Sequence, residues 1–169
     1  MIGIIIAAGM GTRMGKHSKM RPKCLLPFAS RTILEQTIKN MQSVGCDDIV
    51  VVTGHLAELI SHPDITTVYN SDYRDNNILG SLMHARPYLF GPTILSYSDI
   101  WVEPSIYHRL ADTPGDLVLA VDSDWRPYYE NRSDHPISEA ENAYVRDDHS
   151  LDRIGKHLDD TPPPGMPRF

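Results

Sequence analysis

Cysteine is scarce in this chain. Among 169 residues there are two, Cys24 and Cys46, and they do not form a CxxC pair. That argues against a disulfide scaffold and against a cysteine-based zinc site, and it fits a reducing cytoplasm. Long apolar runs are missing too, so no segment reads as a membrane-spanning helix. No basic leader or cleavage site precedes Ile2, which makes the cytoplasm the expected location. Excess basic charge is also lacking. The net charge is −6, without the cationic footprint that a nucleic-acid binder needs. The eight histidines are scattered without metal-ligand spacing. His55, after Thr53-Gly54, falls near the expected nucleotide edge or is simply a surface residue. No internal repeat is present.

The most informative absence is acidic charge at the start. The first carboxylate is Glu35, and six basic residues come before it: Arg13, Lys16, Lys19, Arg21, Lys23 and Arg31. A local positive field in an acidic protein suits capture of a small anion, although a solvated basic loop would look the same.

What is present alternates between strand and helix signals. Residues 2–8 form a continuous apolar run, the pattern of a strand buried on both faces of a parallel sheet. Thr32-Ile33-Leu34-Glu35 reads as a capping box, and Leu34, Ile38 and Met41 repeat at helical spacing up to Gly45, a helix-ending residue. Strands are expected at 49–53, 65–69, 93–97 and 117–121. A helix capped by Asn76 or Asn77 is expected to run to about Leu89, with Pro87 disturbing its last turn. Another helical stretch covers 104–110. Residues 143–146 and 151–154 suit a small hairpin, and the proline-rich tail at 159–169 has no core pattern. The expected architecture is α/β: an open, mostly parallel, doubly wound sheet with helices on both faces and a small β insert, all within 1–158.

Directly after the first strand comes Ala7-Ala8-Gly9-Met10-Gly11-Thr12-Arg13-Met14-Gly15-Lys16. Its small residues let backbone N–H groups approach phosphate oxygens. Two common phosphate motifs fail at defined positions. A P-loop needs glycine where Met10 stands and Ser or Thr where His17 stands. A dinucleotide fingerprint needs glycine where Met14 stands, and an acidic ribose ligand before Glu35.

A third pattern fits without repair. Gly9-x-Gly11-Thr12-Arg13, followed by Arg21-Pro22-Lys23 and Leu25-Leu26-Pro27, resembles the signature of the sugar-phosphate nucleotidyltransferase superfamily. The stretch from Asn70 through the paired Asn76-Asn77 to Ser81-Leu82 narrows the resemblance to bacterial phosphocholine cytidylyltransferases and the aminoalkylphosphonate enzymes of the same branch. The resemblance implies a Rossmann-like nucleotidyltransferase fold. It implies nucleotide binding by Ala8, Gly9, Gly11, Thr12, Asn77, Gly80 and Ser81. It also implies that Arg13 and Lys23 stabilise charge on the departing pyrophosphate. For Asn76 and Asn77, plain helix capping is the competing reading.

Asp99 follows the fourth strand, where ligands of doubly wound sheets gather. The resemblance makes it a Mg²⁺ ligand, although a lone aspartate there also suits a turn. Trp125, Tyr128 and Glu139 are candidates for binding an ammonium-bearing acceptor, or else belong to a lid packed by its own aromatics. The expected reaction is transfer of a cytidylyl group from CTP to a small phosphate or phosphonate. The alternatives are a sugar-1-phosphate nucleotidyltransferase and a nucleotide-binding module or truncated subunit without activity. The family continues for several dozen residues past the point reached here, so the domain is expected to be incomplete at its C-terminus. An unfinished sheet edge there would favour a homo-oligomer.

Overall fold

The computed structural model of the protein describes residues 1–11, 20–133, 136–156 and 158. The chain divides into two compact units, Met1–Val118 and Leu119–Phe169. The expected tail at 159–169 falls outside the described residues.

The first unit is built on the apolar runs. β1 (Ile2–Ala7) is buried along its whole length and lies in the interior of a parallel sheet. Beside it runs β4 (Asp48–Thr53), then β5 (Thr66–Tyr69); β6 (Thr93–Tyr97) lies on the other side of β1. The order is therefore β5-β4-β1-β6. Strand parity sorts the core. Ile5 and Ala7 face a cluster with Leu34, Ile38 and Met41 of α1 (Ile33–Ser43) and Tyr107 of α3 (Pro104–Asp112). Ile2, Ile4 and Ile6 face a second cluster with Ala85, against which Leu82 of α2 (Ile78–His84) packs. Helices thus cover both faces of the sheet, as the alternating pattern predicted. Gly3 lets α1 close on it, since a Cβ there would stand 2.7 Å from Met41 Sδ.

The helix ends follow their local chemistry. Thr32 caps α1, with both halves of the capping box formed, and Gly45 sits at φ +84°, which favours glycine. Asn77 caps α2 by accepting the Gly80 N–H at 2.9 Å. The expected continuation of α2 to Leu89 does not form. Proline has no N–H to donate, and a 3₁₀ turn at Arg86–Tyr88 replaces the last turn, with i→i−3 bonds from Ala85 to Leu82 and from Tyr88 to Ala85.

The strand expected at 117–121 is also absent. Leu117, Leu119 and Val121 are 83%, 45% and 44% exposed, and the run pairs with no described strand. Strand propensity describes a fit to a pleated surface; without a neighbour to supply ladder bonds the segment stays irregular. One unexpected feature is a short antiparallel pair, β2 (Pro27–Phe28) with β3 (Arg31–Thr32). Two-residue strands are too short to show periodicity.

The second unit contains the expected hairpin, β7 (Asn142–Val145) against β8 (Leu151–Gly155). Its turn is held by the Arg146 N–H donating to Ser150 O and the Ser150 N–H donating to Asp148 Oδ1, both at 2.9 Å.

Candidate functional site

The chain proceeds from β1 to β4 to β5 on one side, then returns to place β6 on the other. This makes β1 and β6 the switch point of the sheet, where the loops leaving the strands diverge and open a crevice. Ala8 and Gly9 emerge from β1, and Ser98 and Asp99 from β6. Two backbone bonds extend the ladder beyond the strand ends: the Ser98 N–H donates to Ile6 O at 3.2 Å, and the His55 N–H to Ala8 O at 3.3 Å.

Within the glycine loop, Ala8 is buried, while Met10 is exposed and Gly11 has φ +62°. Gly9 has no conformational or packing reason to be glycine among the described residues, since a Cβ there would meet nothing within 4 Å. Open space over a bare backbone is what close approach of a phosphate requires. Thr12 and Arg13, assigned from the motif to nucleotide and to pyrophosphate, lie outside the described residues.

Lys23 opens a 3₁₀ turn, Lys23–Leu25, behind the extended Pro22. Its Nζ donates to Asp99 Oδ2 at 2.9 Å. The lysine is 23% and the aspartate 42% exposed at the side chain, so the pair is reachable from solvent beyond the end of β6. Two residues chosen separately from sequence, 76 positions apart, are therefore in direct contact. Cys24, beside Lys23, points into the core, and its thiol is pushed up to about 12, chiefly by burial. It stays protonated at neutral pH, which suits a packed side chain rather than a nucleophile.

The segment carrying Asp99 is anchored from below. Asn40 on α1 is buried, and its Nδ2 donates to Val102 O at 3.1 Å. The Tyr107 hydroxyl donates to Ser96 Oγ at 3.4 Å under the end of β6.

On the other side of β1 stands a polar network centred on Asn70, which is fully buried. Asn70 Nδ2 donates to Ser81 Oγ at 2.9 Å and to Asn76 Oδ1 at 3.2 Å. Its Oδ1 accepts from the Asp72 N–H at 2.9 Å and from Asn76 Nδ2 at 3.2 Å. The two asparagines at the start of α2 thus have different tasks. Asn77 caps the helix, while Asn76 packs across Gly80, where a Cβ would stand 2.9 Å from Asn76 Cβ. Ser81, placed by the motif against the nucleotide, is buried with its hydroxyl in this network. Gly54, after β4, supports the loop from the side: a Cβ there would lie 2.7 Å from Ala8 O and 2.6 Å from Tyr73 Cβ.

Asn40, Asn70 and Gly54 were not assigned from sequence. Nothing in the periodicity separates a buried asparagine from a surface one. A glycine closing a strand was the one available hint.

The acceptor candidates lie in the second unit. Trp125 is buried, with the Arg126 guanidinium 5.2 Å from its ring centre and Tyr129 edge-on at 5.6 Å. Tyr128 is 63% exposed, and Glu139 ends a 3₁₀ turn, Ile137–Glu139. No group of three His, Cys, Asp or Glu side chains among the described residues could cage a metal. Nor is any described helix long and apolar enough to cross a membrane.

The parallel sheet, with its bare glycine loop and its cation–carboxylate pair at the switch point, has the form of a Rossmann-like α/β nucleotide-binding domain. Residues 3–160 match the MobA-like NTP transferase domain, and the chain belongs to that family. It is 35% identical over 132 residues to a CMP-5'-(3-aminopropyl)phosphonate synthase of Streptomyces rubellomurinus, covering 73% of this chain and 21% of that protein. It is 27% identical over 161 residues to a CTP:phosphoglutamine cytidylyltransferase of Campylobacter jejuni, covering 86% of this chain and 64% of the relative. Among solved structures, the CTP:phosphocholine cytidylyltransferase of Streptococcus pneumoniae superposes with a TM-score of 0.54 at 27% identity, over 58% of this chain and 44% of that one. The chain thus spans less than two thirds of the length of each of these relatives. The family membership bears out the resemblance read from the glycine loop and the Asn70–Leu82 stretch.

Proposed function

We propose that the protein transfers a cytidylyl group from CTP to a small, ammonium-bearing phosphate or phosphonate, releasing pyrophosphate with Mg²⁺ as cofactor. The observation that supports this most is the Lys23–Asp99 contact at the switch point, beside a glycine loop whose backbone at Gly9 is uncovered by the described residues. Two of the named relatives are CTP:phosphoglutamine and CTP:phosphocholine cytidylyltransferases and the third is a CMP-aminopropylphosphonate synthase, which favours this substrate class.

In this reading the loop N–H groups hold the nucleotide phosphates, and Lys23, together with Arg13, stabilises charge on the leaving pyrophosphate. Asp99 suits a magnesium ion: it is a hard oxygen donor, open to solvent, and already holds a cation in Lys23. With no cage of three ligands among the described residues, the ion would be held by Asp99 together with nucleotide oxygens and waters, the usual habit of magnesium. Bound there, Mg²⁺ supplies charge neutralisation for in-line displacement at the α-phosphorus. Lys23, which contacts one oxygen of Asp99, would turn toward the phosphates as nucleotide and metal bind.

The test is pyrophosphate release by the full chain with Mg²⁺, crossing CTP, UTP, GTP and dTTP with phosphocholine, 2-aminoethylphosphonate and glucose-1-phosphate. The expected result is a CTP-dependent signal with a phosphorylated amino alcohol or a phosphonate. It should be abolished in Asp99→Ala and reduced about 10²–10³-fold in Lys23→Met, the scale of losing one charge-stabilising donor. Turnover with glucose-1-phosphate instead would replace the acceptor class. Silence across the panel would overturn the enzymatic reading for this chain.

A further inference from the structure

The segments that carry Lys23 and Asp99 meet a second time. Shortly after Lys23 the chain forms β2, and shortly after Asp99 it reaches Trp101. The rings of Phe28 and Trp101 stack at 5.1 Å between centroids, 30° apart in plane. Such a pair normally gains its energy from burial, yet these rings are 41% and 44% exposed. No described packing requires two large aromatics there.

Their surroundings are anionic and close to the chemistry. Asp99 precedes Trp101 by two residues and Glu103 follows it by two. Two residues of extended chain span about 7 Å at most, so Trp101 lies within that distance of Asp99 at the backbone. Among the described residues, the three arginine–ring contacts involve Tyr73, Trp125 and Tyr129; Trp101 takes part in none of them. The ring of Trp125 already has a guanidinium over it, whereas Trp101 belongs to the same unit as the Lys23–Asp99 pair.

The geometry points to the Phe28–Trp101 stack as a platform for the acceptor's alkylammonium head, making Trp101 a specificity-determining residue. This rests on the proposed cytidylyl transfer to an ammonium-bearing acceptor. With its phosphate beside Asp99, an acceptor with a short carbon linker would bring its cation over the indole, the best of the aromatic faces for that contact. The carboxylates on either side add to the attraction.

The test is equilibrium binding by calorimetry to the full chain, with Mg²⁺ and a non-hydrolysable CTP analogue. It compares phosphocholine with its carbon isostere, in which a quaternary carbon replaces the nitrogen. Wild type is expected to favour the charged ligand by about 2- to 30-fold, the range of a cation–π contact. In Trp101→Leu that ratio should fall well below the wild-type value, to what the flanking carboxylates alone supply, and in Trp101→Phe, which keeps a stack, it should be intermediate. A second readout uses Trp125→Phe, which leaves Trp101 as the sole tryptophan; phosphocholine should then quench its emission more than the isostere does. Equal binding of the two ligands by wild type, an unchanged ratio in Trp101→Leu, or equal weakening of both ligands (a mere clasp between segments) would each overturn the platform. Failure of wild type to bind either ligand would do so as well. None of these readouts depends on turnover, so the pyrophosphate panel judges the underlying activity separately.

Discussion

Removing the Asn70 side chain tests how much of the site's rigidity comes from one buried amide. Asn70 is fully buried and makes four hydrogen bonds, joining the end of β5 to Asp72, Asn76 and Ser81. A net contribution of about 1 kcal/mol per bond, with partners left inside that lose theirs, puts the cost of Asn70→Ala at about 2–4 kcal/mol. That is a large share of the roughly 5–15 kcal/mol that holds a domain folded. The assay is urea unfolding followed by far-UV circular dichroism, which reports on the first unit because α1, α2 and α3 all lie within it. With a slope of about 2 kcal/mol per molar, the midpoint should fall by about 1–2 M. Asn70→Asp should also destabilise at neutral pH, because a carboxylate cannot donate to Ser81 or Asn76. A midpoint shift below about 0.3 M in Asn70→Ala would show that water replaces the amide without cost and would refute the network as a structural centre.

The two glycines beside β1 should behave oppositely. Gly9→Ala adds a methyl group in open space, so stability should hold within about 0.5 kcal/mol while nucleotide affinity, measured by calorimetry, drops. Gly54→Ala drives a methyl group into Ala8 O and Tyr73 and should cost about 1–3 kcal/mol as overpacking. Glu35 is held below the usual carboxylate range by the Thr32 N–H and hydroxyl, which donate to it at 2.6 and 2.9 Å. A depressed carboxyl stabilises the fold fully above its unfolded pKa, and that stability is lost as pH falls through the folded one. Glu35→Gln should therefore flatten the acid limb of a melting-temperature profile in that window. Cys24 and Cys46 are both buried with raised pKa values, so iodoacetamide at neutral pH should label them after denaturation and leave them intact in the native chain, as mass spectrometry would show.

Much of the fold was legible in the residues themselves. Apolar runs marked β1 and β4 because a strand covered on both faces has no polar positions. The capping box marked the start of α1 because its hydrogen bonds are local. Such features depend on neighbours a few positions away, and the motif positions of Lys23 and Asp99 could likewise be named one at a time. The run at 117–121 shows the boundary of this legibility: its strand propensity is real, but a strand exists through a partner that local sequence does not specify.

Only the tertiary structure decided which residues meet. The strand order put β1 next to β6 and so placed Lys23 against Asp99. It gave Asn76 and Asn77, neighbours of one chemical type, different tasks, because one faces α2's first turn and the other faces Asn70. It also exposed the Phe28–Trp101 stack, whose rings come from segments with no relation in sequence. Pattern and capping are carried by short-range bonds along the chain; a site at a switch point is carried by sheet topology, which brings distant loops together.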